Sequence, residues 1–558
     1  MSTRALVIGL DGADVDVITA LGASRLPHLH ALMARGAWAR LRSVMPPATL
    51  PNWTTFLTGV DPGGHGVFDF TVRDGTSVRF AGGTVREAPT IAARLDRLGM
   101  ACAVLGFPAT WPPERLEHGA FVSGWDSPVA FEADRSFVWP PSLWSEVRAR
   151  FGAIRWGDVD EFDADRPGWH DALAGKLVAR IDERVALATW MLERRAWDLF
   201  AIYFGESDTA SHHLWAHHDP SSPRHPDRVS DEARTGLARV YEALDRAVGS
   251  LVARAGEGVE ITIVSDHGSG GASDKVLYLN RALAEAGLLA FRPGHEGTSP
   301  VARIKDLGLG VLGPRGRDLV FRAMGQALPG RLESRARFGA IDFARTRVFS
   351  DELNYFPALH FNLRGREPEG VVDPREVPAL RARVESLAEA LRDPWTGERV
   401  ITNVWSREEL YRGPFVFRAP DLLLELALDR GHSWNLLPSA SAPPGTGAFR
   451  KLAPSEHLGR KGRSLPGSHR ARGLFVAAGP RVRAAGEIDA RIADATATLL
   501  ARLDVRPGAE LAGRVLREAL VRGAAPSREL PAVDRSERGS SGDLARTEAR
   551  LRALGYVD

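Results

Sequence analysis

Short apolar runs and longer amphipathic stretches alternate along much of the chain. The first run, Ala5–Leu10, is partly β-branched and stops at Asp11, as expected for a buried strand followed by a loop. Similar runs occupy residues 101–107, Leu199–Phe204, 259–265 and 473–478, and helical patterns occupy 88–98, 170–194 and 231–254. Strands that alternate with long helices predict an α/β fold with a doubly wound, mostly parallel sheet and helices on both faces.

A different composition interrupts this alternation between residues 291 and 395. The first half of the segment is rich in Arg and Gly and lacks a strong strand signal, while helical patterns occupy 318–328 and 377–391. We therefore predict one core formed by residues 1–290 and 396–522, with 291–395 as a mainly helical insertion that could serve as a lid. Residues 523–558 are predicted to be a polar tail that ends in a short helix at 544–554.

Composition places the chain among ordinary globular proteins. Of its 558 residues, 72 are Lys or Arg and 70 are Asp or Glu, and this balance gives no electrostatic footprint for a nucleic acid. No charge-free apolar run reaches the length of a membrane span and no targeting segment is visible, so we expect a cytoplasmic protein. The single cysteine, Cys102, excludes a disulfide within the chain and a cysteine-based zinc site.

Polar side chains follow several of the predicted strands, where open α/β sheets bind their ligands. Three aspartates and three histidines occupy such positions: Asp11, Asp208, His212, Asp266, His267 and His469. Aspartate and histidine are the ligand types expected for a borderline divalent metal such as zinc or manganese. The sequence therefore predicts a metal site at this edge of the sheet.

The spacing of these residues suits two ions. Asp208 and His212 lie four residues apart, so a helix would place both on one face. Asp266 and His267 are adjacent, and in a loop they can turn toward two neighbouring ions. Six ligands suit two metals about 4 Å apart, the arrangement that holds the attacking and leaving oxygens in phosphoryl transfer.

Thr49 is the candidate nucleophile. It lies in the proline-rich segment that precedes an apparent helix, where its hydroxyl could be presented to a metal. A hydroxyl is a weak nucleophile until a base or a metal activates it. Two simpler roles remain open: Thr49 as a turn residue, with Thr54, Thr55 and Thr58 nearby, and Asp11 as a helix cap or turn residue.

The ordered set of these residues resembles the alkaline phosphatase superfamily, and most closely its type I phosphodiesterase/nucleotide pyrophosphatase branch. Thr49-Leu50-Pro51-Asn52 and the segment 58–66 are similar to the nucleophile region of that branch. Phe68-Asp69-Phe70, the segment 419–423 and the C-terminal residues 550–556 resemble a less characterised prokaryotic group of phosphohydrolases and phosphomutases. The resemblance covers the core on both sides of the predicted insertion.

The resemblance implies an alkaline-phosphatase-like α/β/α sandwich with two divalent ions, zinc or alternatively manganese. It assigns one ion to Asp11, Thr49, Asp266 and His267, and the other to Asp208, His212 and His469. Thr49 would attack phosphorus in line, and water at the metals would then hydrolyse the phosphothreonine. We therefore expect a phosphodiesterase or pyrophosphatase that acts on a small-molecule phosphoester.

Several alternatives stay open beside this expectation. A phosphomutase would use the same metals and return the phosphoryl group to its substrate, and a metal-containing binding protein would catalyse nothing. Phe70 occupies the place where characterised nucleotide pyrophosphatases usually carry Asn, so the resemblance does not extend to nucleotide specificity. The residues after Cys102 differ from the sulfatase signature, which excludes cysteine-dependent sulfatase chemistry.

Overall fold

The computed structural model describes residues 3–75, 77–124, 135–152, 164, 166–294, 337–352, 357–459, 464–523 and 526–532. The strands are β1 (Ala5–Leu10), β2 (Ala37–Arg42), β3 (Thr71–Asp74), β4 (Ser77–Phe80), β5 (Cys102–Leu105), β6 (Ala120–Val122), β7 (Val138–Trp139), β8 (Leu199–Phe204), β9 (Glu260–Val264), β10 (Gly268–Leu277), β11 (Val348–Ser350), β12 (Ala358–Phe361), β13 (Ile401–Ser406), β14 (Leu422–Leu426), β15 (Leu428–Asp429), β16 (His432–Leu436), β17 (Phe449–Lys451), β18 (Gly467–Arg470), β19 (Arg472–Ala478), β20 (Gly486–Glu487), β21 (Val505–Arg506) and β22 (Arg528–Glu529). The α-helices are α1 (Val15–Arg25), α2 (Pro27–Arg35), α3 (Thr49–Thr58), α4 (Pro62–His65), α5 (Ile91–Asp96), α6 (Pro141–Phe151), α7 (Trp169–Arg194), α8 (Glu206–His218), α9 (Asp231–Ala255), α10 (Leu279–Glu285), α11 (Val377–Ala390), α12 (Arg407–Leu410) and α13 (Ile492–Arg502).

A nine-stranded sheet forms the centre of the molecule, in the order β20-β2-β19-β9-β1-β8-β5-β6-β7. The strands β9, β1, β8, β5 and β6 run parallel, whereas β19 is antiparallel to both of its neighbours and β7 is antiparallel to β6. The five apolar runs of the sequence all form strands of this sheet, and they lie next to one another as β19-β9-β1-β8-β5. The prediction of a mostly parallel, doubly wound sheet is therefore confirmed.

Helices cover both faces of the sheet, because alternate side chains of its strands enter two separate apolar layers. In β1, Leu6 and Ile8 pack into a layer with α1, α2, α7 and α9, while Val7 packs into a layer with α3, α5 and α13. The apolar period of α7 and α9 supplies most of the first layer. The result is the α/β/α sandwich that the sequence predicts.

Besides the two-stranded pairs β3-β4 and β21-β22, two small sheets of four and five strands lie outside the central sheet. The antiparallel sheet β11-β12-β14-β13 packs with α11 around a third apolar cluster. Its strands come from both sides of residue 395, so strand pairing crosses the predicted end of the insertion. The sequence does not reveal this pairing, because a short apolar strand has the same local pattern in this sheet as in the central one. The described part of 291–395 holds β11, β12 and α11, and the helices predicted at 318–328 and 544–554 lie outside the described residues. The mainly helical insertion, its use as a lid and the polar tail stay predictions.

The other small sheet extends the ligand-bearing edge of the sandwich. Its longest strand, β10, begins at Gly268, directly after Asp266 and His267, and pairs with β16, β17 and β18. In the antiparallel pair with β18, Ser269 lies opposite His469. Among the residues that the structure describes, no helix has the length and apolar character needed to cross a membrane.

Candidate metal centre and active site

Three adjacent parallel strands carry the aspartates to one edge of the large sheet. Asp11 follows β1, Asp266 follows β9, and Asp208 lies in the first turn of α8 after β8. Gly12, with φ of +63°, makes the turn after β1; a Cβ there would lie 3.0 Å from the Asp208 side chain. A side chain at residue 12 would thus combine backbone strain with a close contact to a candidate ligand.

The first candidate ligand group consists of Asp11, Asp266 and His267, all fully buried. The His267 Nε2 atom lies 3.3 Å from Asp11 Oδ1 and 3.2 Å from Asp266 Oδ2. The three ligand atoms fall within 4.8 Å of one another. The structure thus brings together the three Asp and His residues that the resemblance assigns to the first ion.

The second candidate group consists of Asp208, His267 and His469, again within 4.8 Å. The His212 Nε2 atom lies 3.3 Å from Asp208 Oδ1 and 3.0 Å from His469 Nε2, so α8 does place Asp208 and His212 on one face. The rings of His267 and His469 stack with their centroids 3.6 Å apart. His267 therefore belongs to both groups, whereas the resemblance assigns it only to the first.

Backbone carbonyls fix the orientation of all three imidazoles. His267 Nδ1 donates to the Gly268 carbonyl at 3.0 Å, His212 Nδ1 to Gly467 at 3.0 Å, and His469 Nδ1 to Pro47 at 2.9 Å. A carbonyl oxygen accepts only from a protonated nitrogen, so each Nδ1 carries a proton and each ring, in its neutral form, presents the Nε2 lone pair. This is the arrangement in which histidines bind metals.

Several acceptor atoms in this cluster face one another without a donor between them. Among the described residues, Asp11 Oδ1, Asp208 Oδ1, Asp266 Oδ2 and His267 Nε2 are buried and have no hydrogen-bond partner. Facing lone pairs about 3 Å apart repel unless a proton or a cation lies between them. The residues present therefore fit a metal centre.

Two aromatic side chains orient Asp11 from below, and sequence reasoning missed both roles. The Trp53 Nε1 group donates to Asp11 Oδ2 at 2.8 Å, and the Tyr203 hydroxyl donates to the same oxygen at 2.7 Å. Both side chains are fully buried. The available signal was the polar tip of each side chain, since a buried Trp or Tyr needs a partner for that tip. Together they leave Asp11 Oδ1 to face His267.

The pKa values of these side chains in the absence of metal reflect the same close packing of buried ionisable groups. Burial and the neighbouring Asp11 raise the pKa of Asp266 well above its usual range. Burial opposes protonation of His267, but the carboxylates of Asp266 and Asp11 outweigh it and raise its pKa to about 10. Burial and His267 lower the pKa of His469 to about 4. Without a metal, a proton on His267 supplies part of the missing positive charge.

Thr49 is the first residue of α3 and is buried. The Asn52 amide shapes the loop before it, because Oδ1 accepts from Val44 N at 2.7 Å and Nδ2 donates to the carbonyl oxygens of Pro46 and Ala48 at 3.1 and 2.9 Å. The carbonyl of Pro47 in this loop is the acceptor for His469. The loop thereby brings the N-terminus of α3 beside the metal cluster.

The structure shows the contacts of two hydroxyl groups near Thr49, and it tests the simpler role of Asp11 as a helix cap. Two nearby hydroxyls are engaged elsewhere: Thr58 Oγ1 donates to Thr54 O at 2.6 Å, and Thr55 Oγ1 pairs with His65 Nε2 at 3.0 Å. The helix after β1 is capped by Asp14, whose side chain accepts from Asp16 N and Val17 N. The reading of Asp11 as that cap is therefore wrong.

Comparison with known proteins places this arrangement in a family. The family model described as type I phosphodiesterase / nucleotide pyrophosphatase matches residues 5–434, a span that contains every candidate ligand except His469. The chain belongs to this family. The phosphodiesterase family lies within the alkaline phosphatase superfamily, so the predicted resemblance and fold class are confirmed. This chain is accordingly an enzyme, a hydrolase of phosphoric ester or phosphoanhydride bonds, in a metal-dependent family.

Solved structures of similar overall path include human ectonucleotide pyrophosphatase/phosphodiesterase 5, at 13% identity with a TM-score of 0.46, covering 90% of this chain and 95% of that chain. Phosphonoacetate hydrolase from Sinorhizobium meliloti 1021, in complex with phosphonoformate, is 16% identical with a TM-score of 0.49, covering 90% of this chain and 96% of that chain. A search of curated proteins finds no match to this phosphodiesterase-family chain.

Proposed function

We propose that this enzyme hydrolyses small-molecule phosphodiesters or pyrophosphates through a phosphothreonine formed on Thr49 at a two-metal centre. The observation that carries the proposal is the convergence of three oriented imidazoles and three aspartates beside the first turn of α3. Zinc is the proposed metal and manganese the alternative, because mixed Asp and His ligands suit both.

Charge supports two divalent ions. The three aspartates carry three negative charges when the imidazoles are neutral, and this charge is almost fully enclosed in protein. Uncompensated buried charges are costly, so cations are needed for all three carboxylates to remain ionised. Two divalent ions would reverse the sign of the cluster and make it attractive to an anionic phosphoryl group.

The bound ions would supply Lewis-acid activation of the nucleophile and charge stabilisation at phosphorus. The chain supplies the rest. Thr49 Oγ1 forms the bond to phosphorus as the bond to the leaving oxygen breaks, and water then displaces Thr49 and regenerates the hydroxyl. The N-terminus of α3, ten residues long and without a side-chain cap at Ala48, adds positive potential near Thr49.

For the substrate we propose a chemical class and no individual compound. Phe70 packs against the apolar cluster that contains Leu50, the neighbour of Thr49, so an apolar ring takes the place of the amide found in nucleotide pyrophosphatases. We therefore propose a small phosphodiester or pyrophosphate without specificity for a nucleotide. A cytoplasmic location stays a prediction, as does the lack of a nucleic-acid partner.

Thr49→Val tests the nucleophile because it keeps the side-chain shape and removes the hydroxyl. With zinc or manganese present, we expect turnover of chromogenic phosphate diesters to fall at least about 1,000-fold, whereas Thr49→Ser keeps a hydroxyl and retains measurable turnover. Thr54→Val, in the same helix, is the matched control and keeps near-native activity. Full diester and monoester hydrolysis by Thr49→Val would refute the assignment. A clear preference for the diester is expected, and release of inorganic phosphate from a monoester without a diester preference would argue against a diesterase.

A further inference from the structure

The side chain of Tyr411 connects the sheet β11-β12-β14-β13 with the loop of residues 44–48, which precedes α3 and Thr49. Helix α12 follows β13 directly, and Tyr411 is the residue after that helix. The Tyr411 hydroxyl donates a hydrogen bond of 2.8 Å to the carbonyl oxygen of Met45, 366 residues earlier in the chain. Because Met45 lies shortly before Thr49, this bond ties the four-stranded sheet to the segment that presents the candidate nucleophile.

The rest of this loop is held from other parts of the molecule. Asn52 in α3 and His469 at the metal centre donate to the three carbonyl groups that follow Met45. In the part of the chain that the structure describes, no donor other than Tyr411 reaches the Met45 carbonyl. A partly buried acceptor that loses its donor costs free energy, so removal of the hydroxyl favours a different path of the loop.

An apolar cluster holds the ring of Tyr411 in place. Phe68 packs against it edge to face, with the ring centroids 5.0 Å apart, and two side chains of the segment 419–423 complete the buried part of the cluster. Phe68 itself belongs to the segment 68–70. Both segments resemble the prokaryotic group of phosphohydrolases and phosphomutases, and the structure brings them together at Tyr411.

The hydroxyl of Tyr411 is suited to act as a permanent donor. Tyr411 is only 2% exposed, and burial together with the carboxylates of Asp61 and Asp69 raises its pKa well above the usual range. The phenol therefore keeps its proton at any working pH. Since a carbonyl oxygen can only accept, the direction of the hydrogen bond to Met45 is fixed.

The backbone after Tyr411 contacts the chain beyond the other end of α3. The Arg412 amide donates to Asp61 Oδ1 at 2.9 Å, and the Phe415 amide donates to the Gly63 carbonyl at 2.8 Å. A Cβ at Gly413 would lie 2.4 Å from that same carbonyl oxygen, so this close approach requires glycine. One short segment of the chain thus contacts the residues on both sides of the nucleophile helix.

We propose that Tyr411 is a positioning residue for phosphoryl transfer: its hydroxyl holds the Met45 carbonyl and so fixes where α3 presents Thr49 to the metals. The inference rests on the function proposed for Thr49. Tyr411 acts through the backbone of the loop and makes no bond to phosphorus. Misplacement of an attacking oxygen by about 1 Å can cost about 100-fold in rate, so a small shift of this loop lowers turnover and leaves substrate binding largely intact.

Tyr411→Phe tests the inference, because it removes the hydroxyl and keeps the ring in its apolar cluster. Tyr278→Phe is the matched control, since Tyr278 is also fully buried and its hydroxyl accepts from Arg450 in the sheet that contains β10. With zinc at saturation, we expect kcat for a chromogenic phosphate diester to fall at least about fivefold in Tyr411→Phe, with KM within about twofold. Tyr278→Phe should keep both constants.

Two phosphate analogues distinguish positioning of Thr49 from a general loss of structure at the site. Orthovanadate imitates the five-coordinate transition state when the nucleophile completes its coordination, whereas phenylphosphonate binds as a tetrahedral ground state. We expect calorimetry on zinc-loaded Tyr411→Phe to show vanadate binding weakened by about the factor lost in kcat. Phenylphosphonate affinity should stay within about twofold of that of Tyr278→Phe.

Three results would overturn the inference. They are kcat values for Tyr411→Phe and Tyr278→Phe within about twofold of each other, an equal loss of affinity for vanadate and phenylphosphonate, and a lower Tm of Tyr411→Phe without loss of kcat. If Thr49→Val keeps full hydrolysis, the proposed function fails and this inference fails with it. If Thr49→Val is inactive and Tyr411→Phe matches Tyr278→Phe, only the inference fails.

Discussion

Removal of a single hydroxyl next to the candidate metal centre should weaken metal binding at Asp11. Tyr203→Phe deletes the group that donates to Asp11 Oδ2 at 2.7 Å and changes nothing else in the shape of a fully buried ring. Asp11 would then be held only by Trp53, and its other oxygen would no longer be fixed toward His267. The expected consequence is weaker metal binding, with the fold retained.

The size of this effect follows from the charge on the acceptor. A hydrogen bond to a charged group is worth about 1.5–3 kcal/mol, which corresponds to about a 10- to 100-fold change in an equilibrium constant. Partners that orient metal ligands have effects of the same order on metal affinity. We therefore expect the zinc affinity of Tyr203→Phe to fall about 10- to 100-fold, with a matching loss of kcat at limiting zinc.

Competition between the enzyme and a chromogenic chelator measures this affinity directly. Tyr278→Phe is the matched control, because Tyr278 is equally buried and its hydroxyl accepts from Arg450 Nε at 3.1 Å, in the small sheet. That variant should bind zinc as the unsubstituted enzyme does. If Tyr203→Phe and Tyr278→Phe have zinc affinities within about twofold of each other, the orientation of Asp11 through Oδ2 is not what holds the ion.

Three further outcomes are expected. Arg184→Leu removes the partner 2.8 Å from buried Glu206 and should cost about 3–5 kcal/mol of stability, seen as a lower urea midpoint that Arg184→Leu/Glu206→Leu largely restores. Removal of metal with a chelator should abolish hydrolysis and lower Tm, and zinc should restore both, since ligands of the folded state stabilise it. In the metal-free protein, the raised pKa of His267 stabilises the fold below about pH 6.5 and is lost as pH rises through about 10, so Tm should fall over that window. Metal binding needs the neutral imidazole, so zinc affinity should rise with pH; parallel trends with and without zinc would contradict this.

The sequence was sufficient for the sandwich because its signals are local. Strands β1, β5 and β8 are continuous apolar runs, and Asp11, Asp208 and Asp266 lie within four residues of the ends of adjacent parallel strands, at one edge of the sheet. The i, i+4 spacing of Asp208 and His212 predicted their common face for the same reason. These inferences need only the periods of helix and strand.

Other features depend on contacts that no local pattern contains. The pairing of β14 with β12 across residue 395 is decided by which apolar faces meet, and each strand alone fits either sheet. The dual position of His267 requires the stacking of its ring on His469, a residue in another sheet. Tyr203 and Trp53 hold Asp11 through the polar tips of their side chains, and the sequence shows that each tip needs a partner but not that the partner is Asp11.

The hydrogen bond from His469 to the Pro47 carbonyl has a consequence for the synthesis of the enzyme. Its two ends are 422 residues apart, and the contact forms only after β18 has left the ribosome and paired with β10. A nascent chain that has completed β1, β8 and β9 already holds the three aspartates but lacks one imidazole and the support of the loop before Thr49. On the proposed mechanism, tight metal capture would therefore be a late event in biogenesis, and an incomplete chain would lack the positioned Thr49 that phosphoester cleavage needs.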